Sequence, residues 1–236
     1  MKYASQAIAL LMALSANAQP PKPFTLTAYI KGLPDRYVYL GYSTGAMTYK
    51  TDSVRASGGK FVFKGMLSQP VEARLYLDKA AAVYGKGDMA TFFMEPAPMR
   101  LQSGTGLLKD AVLTGSATQQ DQYALDALNA TVRAKLKPLS DSFNLLNEQY
   151  IDGMQAKKTD AELEPLKQQL DGIKDRMDPY YETMRRNNRR FIDTHPDSYV
   201  SVQQLRWLVS EMPLAEGEAV FAKLSPRVRA SIEGRE

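Results

Sequence analysis

The sequence of 236 residues contains no cysteine, one histidine and one tryptophan. Without cysteine the chain cannot form disulfides, present a thiolate nucleophile, or hold zinc or an iron–sulfur cluster through sulfur. A single histidine, His195, excludes any site that needs two imidazole groups. Charged residues (24%) and hydrophobic residues (44%) occur in the proportions of an ordinary globular protein. Composition therefore excludes several classes of enzyme but does not indicate a function.

Long hydrophobic runs are also absent, apart from one short run near the N-terminus. Lys2 precedes the apolar residues 7–14 (AIALLMAL), and Ala16-Asn17-Ala18 follows with the small-x-small pattern of a signal-peptidase site. The run is shorter than the roughly 20 residues that span a bilayer. We expect residues 1–18 to be a signal peptide; a buried N-terminal helix is the alternative. No lipid anchor is expected at Gln19, because no cysteine follows the cleavage site. The predicted location is the periplasm or cell envelope, without a transmembrane segment.

The net charge is small and unevenly distributed. It is +4 for the whole chain, and +3 once Lys2 is removed. Residues 19–120 carry 12 basic and 7 acidic groups, whereas residues 121–236 carry 17 basic and 19 acidic groups. This basic excess is not concentrated enough for nucleic-acid binding. We therefore expect no nucleic-acid partner, and the change of charge indicates a boundary between two regions.

The first region, residues 19–117, has the pattern of short β-strands. Apolar and polar residues alternate in segments rich in β-branched and aromatic residues, and Gly- and Pro-containing turns separate the segments. The predicted strands are 24–31, 37–42, 47–54, 60–66, 71–78, 89–95, 99–102 and 111–114. In the second of them, alternation places Tyr37 and Tyr39 on one face and Val38 and Leu40 on the other. Eight short strands with short turns indicate an antiparallel β-sandwich or open barrel.

The second region, residues 118–236, has helical periodicity. An apolar stripe at 3–4-residue spacing runs from Leu125 to Met154, and a second one runs from Leu163 to Phe191. A short polar segment joins them, which predicts a long antiparallel helical hairpin followed by shorter helices. The predicted fold class is segregated α+β. We expect residues 118–121 to start the first helix, Pro138 to kink or break it, and Pro165 to move the start of the second helix towards Glu164.

Motifs that carry chemistry are mostly missing. The sequence contains no G-x-S-x-G, Walker A, G-x-G-x-x-G or calcium-loop motif. His195 precedes a proline, and we interpret it as a helix-terminal residue. Four acidic residues at strand ends remain candidates for a carboxylate pair of a hydrolase: Asp52, Asp78, Asp88 and Glu95. No metal or other cofactor is predicted.

Seven tyrosines in the strand region raise the possibility of glycan binding through exposed aromatic faces. They are Tyr29, Tyr37, Tyr39, Tyr42, Tyr49, Tyr76 and Tyr84. Because tyrosine also favours strands for its amphipathic side chain, a purely structural role is the preferred interpretation.

Two features of the helical region are candidates for partner docking. A basic band on the second long helix, a candidate for docking an acidic partner surface or anionic lipid headgroups, consists of Arg185, Arg186, Arg189 and Arg190. A solvated helix end is the structural alternative, since cations are favourable near a helix C-terminus. Trp207 lies between apolar residues of a shorter helix, which predicts a packing anchor, although aromatic residues also dominate interfaces.

A family resemblance rests on the order of several short motifs. In the strand region they are residues 24–32, 38–40, 51–54, 59–65, 92–96 and 113–116; in the helical region they are residues 195–201 (HPDSYVS) and 224–226 (LSP). This order resembles the uncharacterised β-rich domain and helical linker of envelope thioredoxin-like proteins, the thiol–disulfide oxidoreductases related to alkyl hydroperoxide reductase. In that family a thioredoxin-like domain with a C-x-x-C pair follows the linker, and this sequence ends at the corresponding point.

The resemblance implies a function without catalysis by this chain. We expect an exported accessory module that scaffolds, dimerises with, or recruits substrate for a thioredoxin-like domain, which is encoded by the same gene or a separate one. The alternative is a stand-alone envelope protein that binds a glycan or peptide through the strand tyrosines. A third hypothesis is a hydrolase with paired carboxylates.

Overall fold

The computed structural model describes residues 20–45, 48–80, 85 and 87–235. The predicted signal peptide and Tyr84 lie outside the described residues. The first region contains eight strands: β1 (Lys22–Ile30), β2 (Tyr37–Gly45), β3 (Thr48–Arg55), β4 (Lys60–Leu67), β5 (Val71–Tyr76), β6 (Met89–Met94), β7 (Pro98–Ser103) and β8 (Val112–Thr114). Sheet A has the order β4-β1-β7-β8, and sheet B has the order β3-β2-β5-β6.

The two sheets pack face to face around a single core. Alternation along each strand directs one set of side chains inward, such as Leu26 and Ile30 of β1 and Leu40 of β2, and all three are fully buried. One apolar cluster contains residues from both sheets. The predicted α+β class with an N-terminal β domain is confirmed, and the β domain is a sandwich.

One strand pair departs from the predicted antiparallel arrangement. β1 pairs in parallel with β7, with Thr25 opposite Pro98 and Ile30 opposite Ser103. The pairs β1–β4, β2–β3, β2–β5, β5–β6 and β7–β8 are antiparallel. Five strands separate β1 from β7 along the chain, so no hairpin turn dictates their relative direction.

The second region contains five α-helices: α1 (Ala117–Gln155), α2 (Asp160–Thr194), α3 (Tyr199–Leu208), α4 (Leu214–Lys223) and α5 (Pro226–Arg229). α1 and α2 form the predicted antiparallel hairpin. At 1.5 Å per residue, the 39 residues of α1 extend about 58 Å. In the outer part of the hairpin, Leu136, Ile173 and Met177 form a core to which only α1 and α2 contribute. Within the described residues, no helix combines the length and the hydropathy that a membrane crossing requires.

The first residues of the two long helices differ from those predicted. Ser116, not Thr118, caps α1, because its side chain accepts a hydrogen bond from the Gln119 N–H. α2 begins at Asp160, where Thr159 and Glu162 form a capping box, so the predicted start near Glu164 is wrong. The cap stabilises the first turn, and Pro165 in the second turn removes only one backbone hydrogen bond.

Prolines within the two helices do not end them. α1 continues through Pro138 and α2 continues through Pro179. Of the two predicted effects of Pro138, a kink or a break, the break is therefore wrong. In a long helix with a partner along its length, tertiary packing offsets the single backbone hydrogen bond that each proline removes.

The first turns of α1 attach the helices to both sheets. Glu95, at the end of β6, accepts hydrogen bonds from the Ser116 hydroxyl (3.2 Å) and the Thr118 N–H. A carboxylate is favourable at a helix N-terminus. The hydroxyl of Tyr123 accepts a hydrogen bond from the Leu113 N–H of β8 at 2.9 Å. The helical region is thus anchored to its own β domain.

Buried contacts complete this joint between the sheets and the helices. The side-chain carbonyl of Gln119 accepts a hydrogen bond from the Phe93 N–H of β6 at 2.7 Å. Gln119 is 4% exposed, so the edge of β6 is satisfied by a buried side chain of α1. One apolar cluster spans β6, α1, α2 and α3: Phe93, Leu125, Phe191 and Val200.

The segment between α2 and α3 contacts the start of α5. Asp197 accepts hydrogen bonds from the Ser225 hydroxyl (2.6 Å) and forms a salt bridge with Arg227 (2.8 Å). The Ser225 N–H donates to the Pro196 carbonyl at 2.9 Å, and the Arg227 guanidinium lies over the Tyr199 ring. Two segments therefore meet here and shape a turn, residues 195–201 and 224–226. They are the segments of the helical region on which the family resemblance rests.

Candidate functional site

The outer face of sheet B is rich in tyrosine. Alternation along β2 points Val38, Leu40 and Tyr42 into the core, so Tyr37 and Tyr39 point outward, as predicted. The register of the neighbouring strands adds Tyr49 and Tyr76 to this outer face. Of the other two described tyrosines that were candidates for glycan binding, Tyr42 is 1% exposed and Tyr29 lies on sheet A. Four tyrosines thus lie on this face, of which Tyr37 and Tyr49 are exposed and Tyr76 is buried.

Tyr49 lies across the middle of this face because β2 has a glycine there. A Cβ atom built on Gly41 would lie 2.1 Å from the Tyr49 hydroxyl oxygen. Glycine in a strand interior often marks a close approach of another group, and here that group is a neighbouring side chain. Tyr49 is nevertheless 60% exposed, so the ring presents a surface to solvent.

Tyr39 and Tyr76 form a second aromatic pair on the same face. Their rings stack with centroids 5.7 Å apart, and the Lys79 ammonium lies 4.7 Å from the Tyr39 centroid. This cation–π contact occupies one surface of the pair. The pair is therefore more enclosed than the Tyr49 ring.

A groove of about 450 Å³ lies between this face and the helical region. Ser43, Tyr49, Glu72 and Arg74 of sheet B line one side, and Gln203, Arg206, Trp207, Ile232 and Glu233 line the other. The volume is in the range of small-ligand sites. Two aromatic side chains and four charged side chains of both signs share the groove.

Hydrogen bonds between the two walls fix the width of the groove. The Gln203 side-chain amide donates to the Glu72 carboxylate across the groove. At its end, Gln69 accepts a hydrogen bond from the Ile232 N–H (3.1 Å) and donates to the Glu233 carboxylate (3.0 Å). The C-terminal residues are thus attached to the loop between β4 and β5, and the groove belongs to the folded structure.

Trp207 is on the surface of α3. The buried face of that helix consists of Val202, Leu205 and Leu208, and Trp207 is 73% exposed. The prediction that it is a packing anchor is wrong, because the residue points away from the neighbours at positions 205 and 208. The docking role predicted for Trp207 is compatible with this position, at the wall of the groove opposite Tyr49.

The basic band divides into two pairs. Arg185 forms a salt bridge with Glu211 (3.3 Å), and Arg189 forms salt bridges with Glu216 (2.8 Å) and Asp193. These two arginines connect α2 to the segment around α4. Arg186 and Arg190 are exposed and form no salt bridge among the described residues. The exposed pair is therefore the part of the band that remains available to a partner.

The acidic candidates for hydrolysis have structural roles at separate places. Asp52 forms a salt bridge with Lys50 (2.9 Å), and Glu95 caps α1. Asp88 accepts hydrogen bonds from the N–H groups of Leu108 and Lys109. The side chain of Asp78 accepts a hydrogen bond from the Ala80 N–H. None of these hydrogen bonds and salt bridges joins two of the four carboxylates.

His195 lies at the C-terminus of α2, as predicted. Its ring stacks on Phe191 with centroids 4.1 Å apart, and Nδ1 is 3.1 Å from the Phe191 carbonyl oxygen. Among the described residues, no three histidine, aspartate or glutamate side chains cluster in a way that could hold a metal ion.

Burial raises the pKa of the Tyr49 phenol, and the neighbouring Tyr76 also raises it, while Arg74 lowers it. The net change is upward, so the Tyr49 phenol is uncharged at neutral pH and able to donate a hydrogen bond. On the inner side of the same strand, hydrogen bonding to Asp52 raises the pKa of Lys50.

Sequence patterns identified only part of the groove. Tyr49 and Trp207 were among the candidate residues, whereas Glu72, Arg74 and Gln203 were not. Alternation in the segment VEARLY places Glu72 and Arg74 on the same face as Tyr76, and this pattern could have indicated them. The position of Gln203 depends on how α3 packs against sheet B, which no local pattern specifies.

Comparisons with known proteins give little functional information. Residues 24–122 match a family model described as a domain of unknown function, DUF4369. The match covers the eight strands and the beginning of α1. No curated protein matches the chain. Among solved structures, the chain is similar to the CBM25-1 of beta/alpha-amylase from Paenibacillus polymyxa, at 12% identity and a TM-score of 0.30, over 42% of this chain and 96% of that chain. A TM-score this low supports no conclusion about fold or ligand.

Proposed function

We propose that this chain is a non-catalytic, exported accessory module that uses the groove to recruit a ligand or substrate for a thioredoxin-like thiol–disulfide oxidoreductase domain. The observation that carries the proposal is the groove itself, with two exposed aromatic side chains and charged side chains on both walls between the sheet and α3. The motifs shared with the envelope thioredoxin-like proteins support the redox partner.

Rigid attachment of the helices to the sandwich is consistent with a scaffold. Three hydrogen-bonded contacts at the start of α1 and the buried cluster around Phe93 hold the two regions together. A binding surface assembled from both regions then keeps its geometry without the partner, which reduces the ordering cost of binding.

The exposed pair Arg186 and Arg190 is the surface that we assign to docking of the redox domain. Positive charge at an interface rim mainly accelerates association with an acidic surface. Arg185 and Arg189 serve internal contacts, so a variant of all four arginines would combine loss of docking with loss of structure.

Direct binding to a redox domain tests the proposal. The mature chain, residues 19–236, is mixed with an envelope thioredoxin-like domain carrying C-x-x-C from the same genome, and association is measured by sedimentation velocity. We expect a saturable complex at concentrations below ~0.1 mM, weakened at least tenfold by Arg186→Glu with Arg190→Glu. Lys157→Glu with Lys158→Glu, at the tip of the hairpin, is the matched control. Absence of a complex at ~0.1 mM of each protein would contradict the proposal.

A second candidate function is that of a stand-alone envelope protein that binds a glycan or peptide. The observation in its favour is the exposure of Tyr49 and Trp207 on opposite walls of one groove. Saturable ligand binding by the chain alone, together with no association with any redox domain, would favour this candidate.

A further inference from the structure

The groove between sheet B and α3 combines two kinds of surface. Tyr49 and Trp207 present exposed rings from opposite walls, and Glu72, Arg74, Arg206 and Glu233 contribute two negative and two positive charges. We propose that the ligand of this groove is a neutral oligosaccharide, with Tyr49 and Trp207 as stacking surfaces. This inference rests on the groove being a ligand site, as in the second candidate function, because an oligosaccharide carries neither the thiol nor the disulfide on which a redox domain acts.

The aromatic side chains fit the apolar face of a sugar ring. A pyranose has a face of C–H groups that packs against the negative face of an aromatic ring, and both Tyr and Trp also offer a hydrogen-bond donor at the ring edge. A tyrosine and a tryptophan that line the same groove offer two such surfaces to one oligosaccharide.

The polar side chains fit hydroxyl groups better than they fit a charged ligand. Each sugar hydroxyl donates one hydrogen bond and accepts others, so it matches walls that carry both carboxylates and guanidinium groups. The charges of Glu72 and Arg74 already oppose each other at 3.9 Å. The four charges that line the groove sum to zero, so they give it no net charge that would favour an anion or a cation.

A peptide is the weaker fit to the same surface. Extended peptides are commonly bound by adding a strand to an exposed sheet edge, where main-chain groups are unpaired. The groove is instead lined by side chains on the face of the sheet and on a helix. At the nearby edge, β3 carries Lys50 and Asp52 on its inner side, and inward-pointing charges are typical of edges protected against strand addition.

The position of the Tyr49 ring is set before a ligand arrives. The absence of a side chain at Gly41 lets the Tyr49 hydroxyl lie against the backbone of β2. Adding one methyl group at residue 41 would move the ring without removing it. Gly41→Ala thus tests whether binding depends on the orientation of the Tyr49 ring, whereas Tyr49→Ala tests whether binding depends on the ring being present.

Binding of neutral oligosaccharides to the chain alone tests this inference. The probes are maltohexaose, cellohexaose, laminarihexaose and xylohexaose, titrated by calorimetry into the mature chain without any redox domain. We expect saturable binding of at least one of them, weakened about tenfold by Trp207→Ala and by Tyr49→Ala. Gly41→Ala should weaken it by a smaller factor.

Tyr37→Ala is the matched control. Tyr37 is 57% exposed on the same sheet face but does not line the groove, so its removal should leave the affinity unchanged. Circular dichroism and thermal melting of each variant establish that it folds. Trp207→Ala, Tyr49→Ala and Tyr37→Ala are at exposed side chains, so we expect little loss of stability from them.

Three results would overturn the inference. One is the absence of saturable binding to all four hexasaccharides at ~10 mM, and a second is binding that neither Trp207→Ala nor Tyr49→Ala weakens. Saturable binding of a neutral decapeptide in place of the sugars would also overturn it. No redox domain is present in this experiment. None of these results therefore decides the accessory-module proposal, which the sedimentation experiment tests separately.

Discussion

Asp197 joins the end of α2 to the start of α5 through a charged hydrogen bond. Hydrogen bonds from Arg227 and Ser225 hold the pKa of the Asp197 carboxyl below its ordinary value of 3.8. A lowered folded-state pKa means that the unfolded chain binds the proton more tightly. The stabilisation is therefore complete above about pH 5 and is lost as the pH falls through the folded-state pKa.

Asp197→Asn removes the charge but keeps an acceptor for the Ser225 hydroxyl. Because the Asp197 side chain is 66% exposed, we expect a loss of about 0.5–1 kcal/mol in the free energy of unfolding at pH 7. The difference from the native chain should shrink as the pH falls below about 4. Urea denaturation at pH 7, 5 and 3 measures it; a difference that is constant over these pH values would contradict the assigned pKa shift.

Single residues show what local patterns can predict about this protein. The alternation of side chains along β2 correctly predicted that Tyr37 and Tyr39 lie on the opposite face from Val38 and Leu40. The same reasoning did not identify Trp207 as a surface residue, since apolar residues at 205 and 208 flank it in sequence. Which arc of a short helix is buried depends on its neighbours in space, and those neighbours come from α2 and α4.

The joint between β6 and α1 depends on one buried amide. Gln119→Leu would leave the Phe93 N–H buried without an acceptor, and we expect a loss of about 1–3 kcal/mol in the free energy of unfolding. The neighbouring Gln120 is exposed, so Gln120→Leu is the matched control and should change stability little. Chemical denaturation of both variants measures the effect. Equal stability of the two would show that the amide is not required at the joint.

The elements themselves were largely predictable, whereas their connections were not. Alternation and 3–4-residue spacing predicted the strand region, the hairpin and the shorter helices. The parallel pairing of β1 with β7 and the capping of α1 by Glu95 were not predicted. Each of these two contacts connects elements that are far apart in the sequence. The spacing of residues gives no information about such contacts until the fold is known.

The sandwich and the helices should unfold together, because the cluster around Phe93 is shared by a strand and three helices. Thermal unfolding followed by far-UV circular dichroism reports mainly the helices, and the β-structure component of the amide I infrared band reports the sandwich. We expect both signals to change with one midpoint, as for a cooperative unit. Two separated midpoints would show that the groove is assembled from independently folding parts.

The central claim is that the groove between sheet B and α3 is the binding site of an accessory module. Trp207 is the only tryptophan in the sequence and lines that groove, so its fluorescence reports on the site alone. With 73% of the residue exposed, acrylamide should quench its emission strongly in the free protein. We expect addition of the oligosaccharide that binds to protect Trp207 from acrylamide. Quenching that stays unchanged when calorimetry shows that the chain is saturated with the oligosaccharide would place the binding site elsewhere and contradict the account.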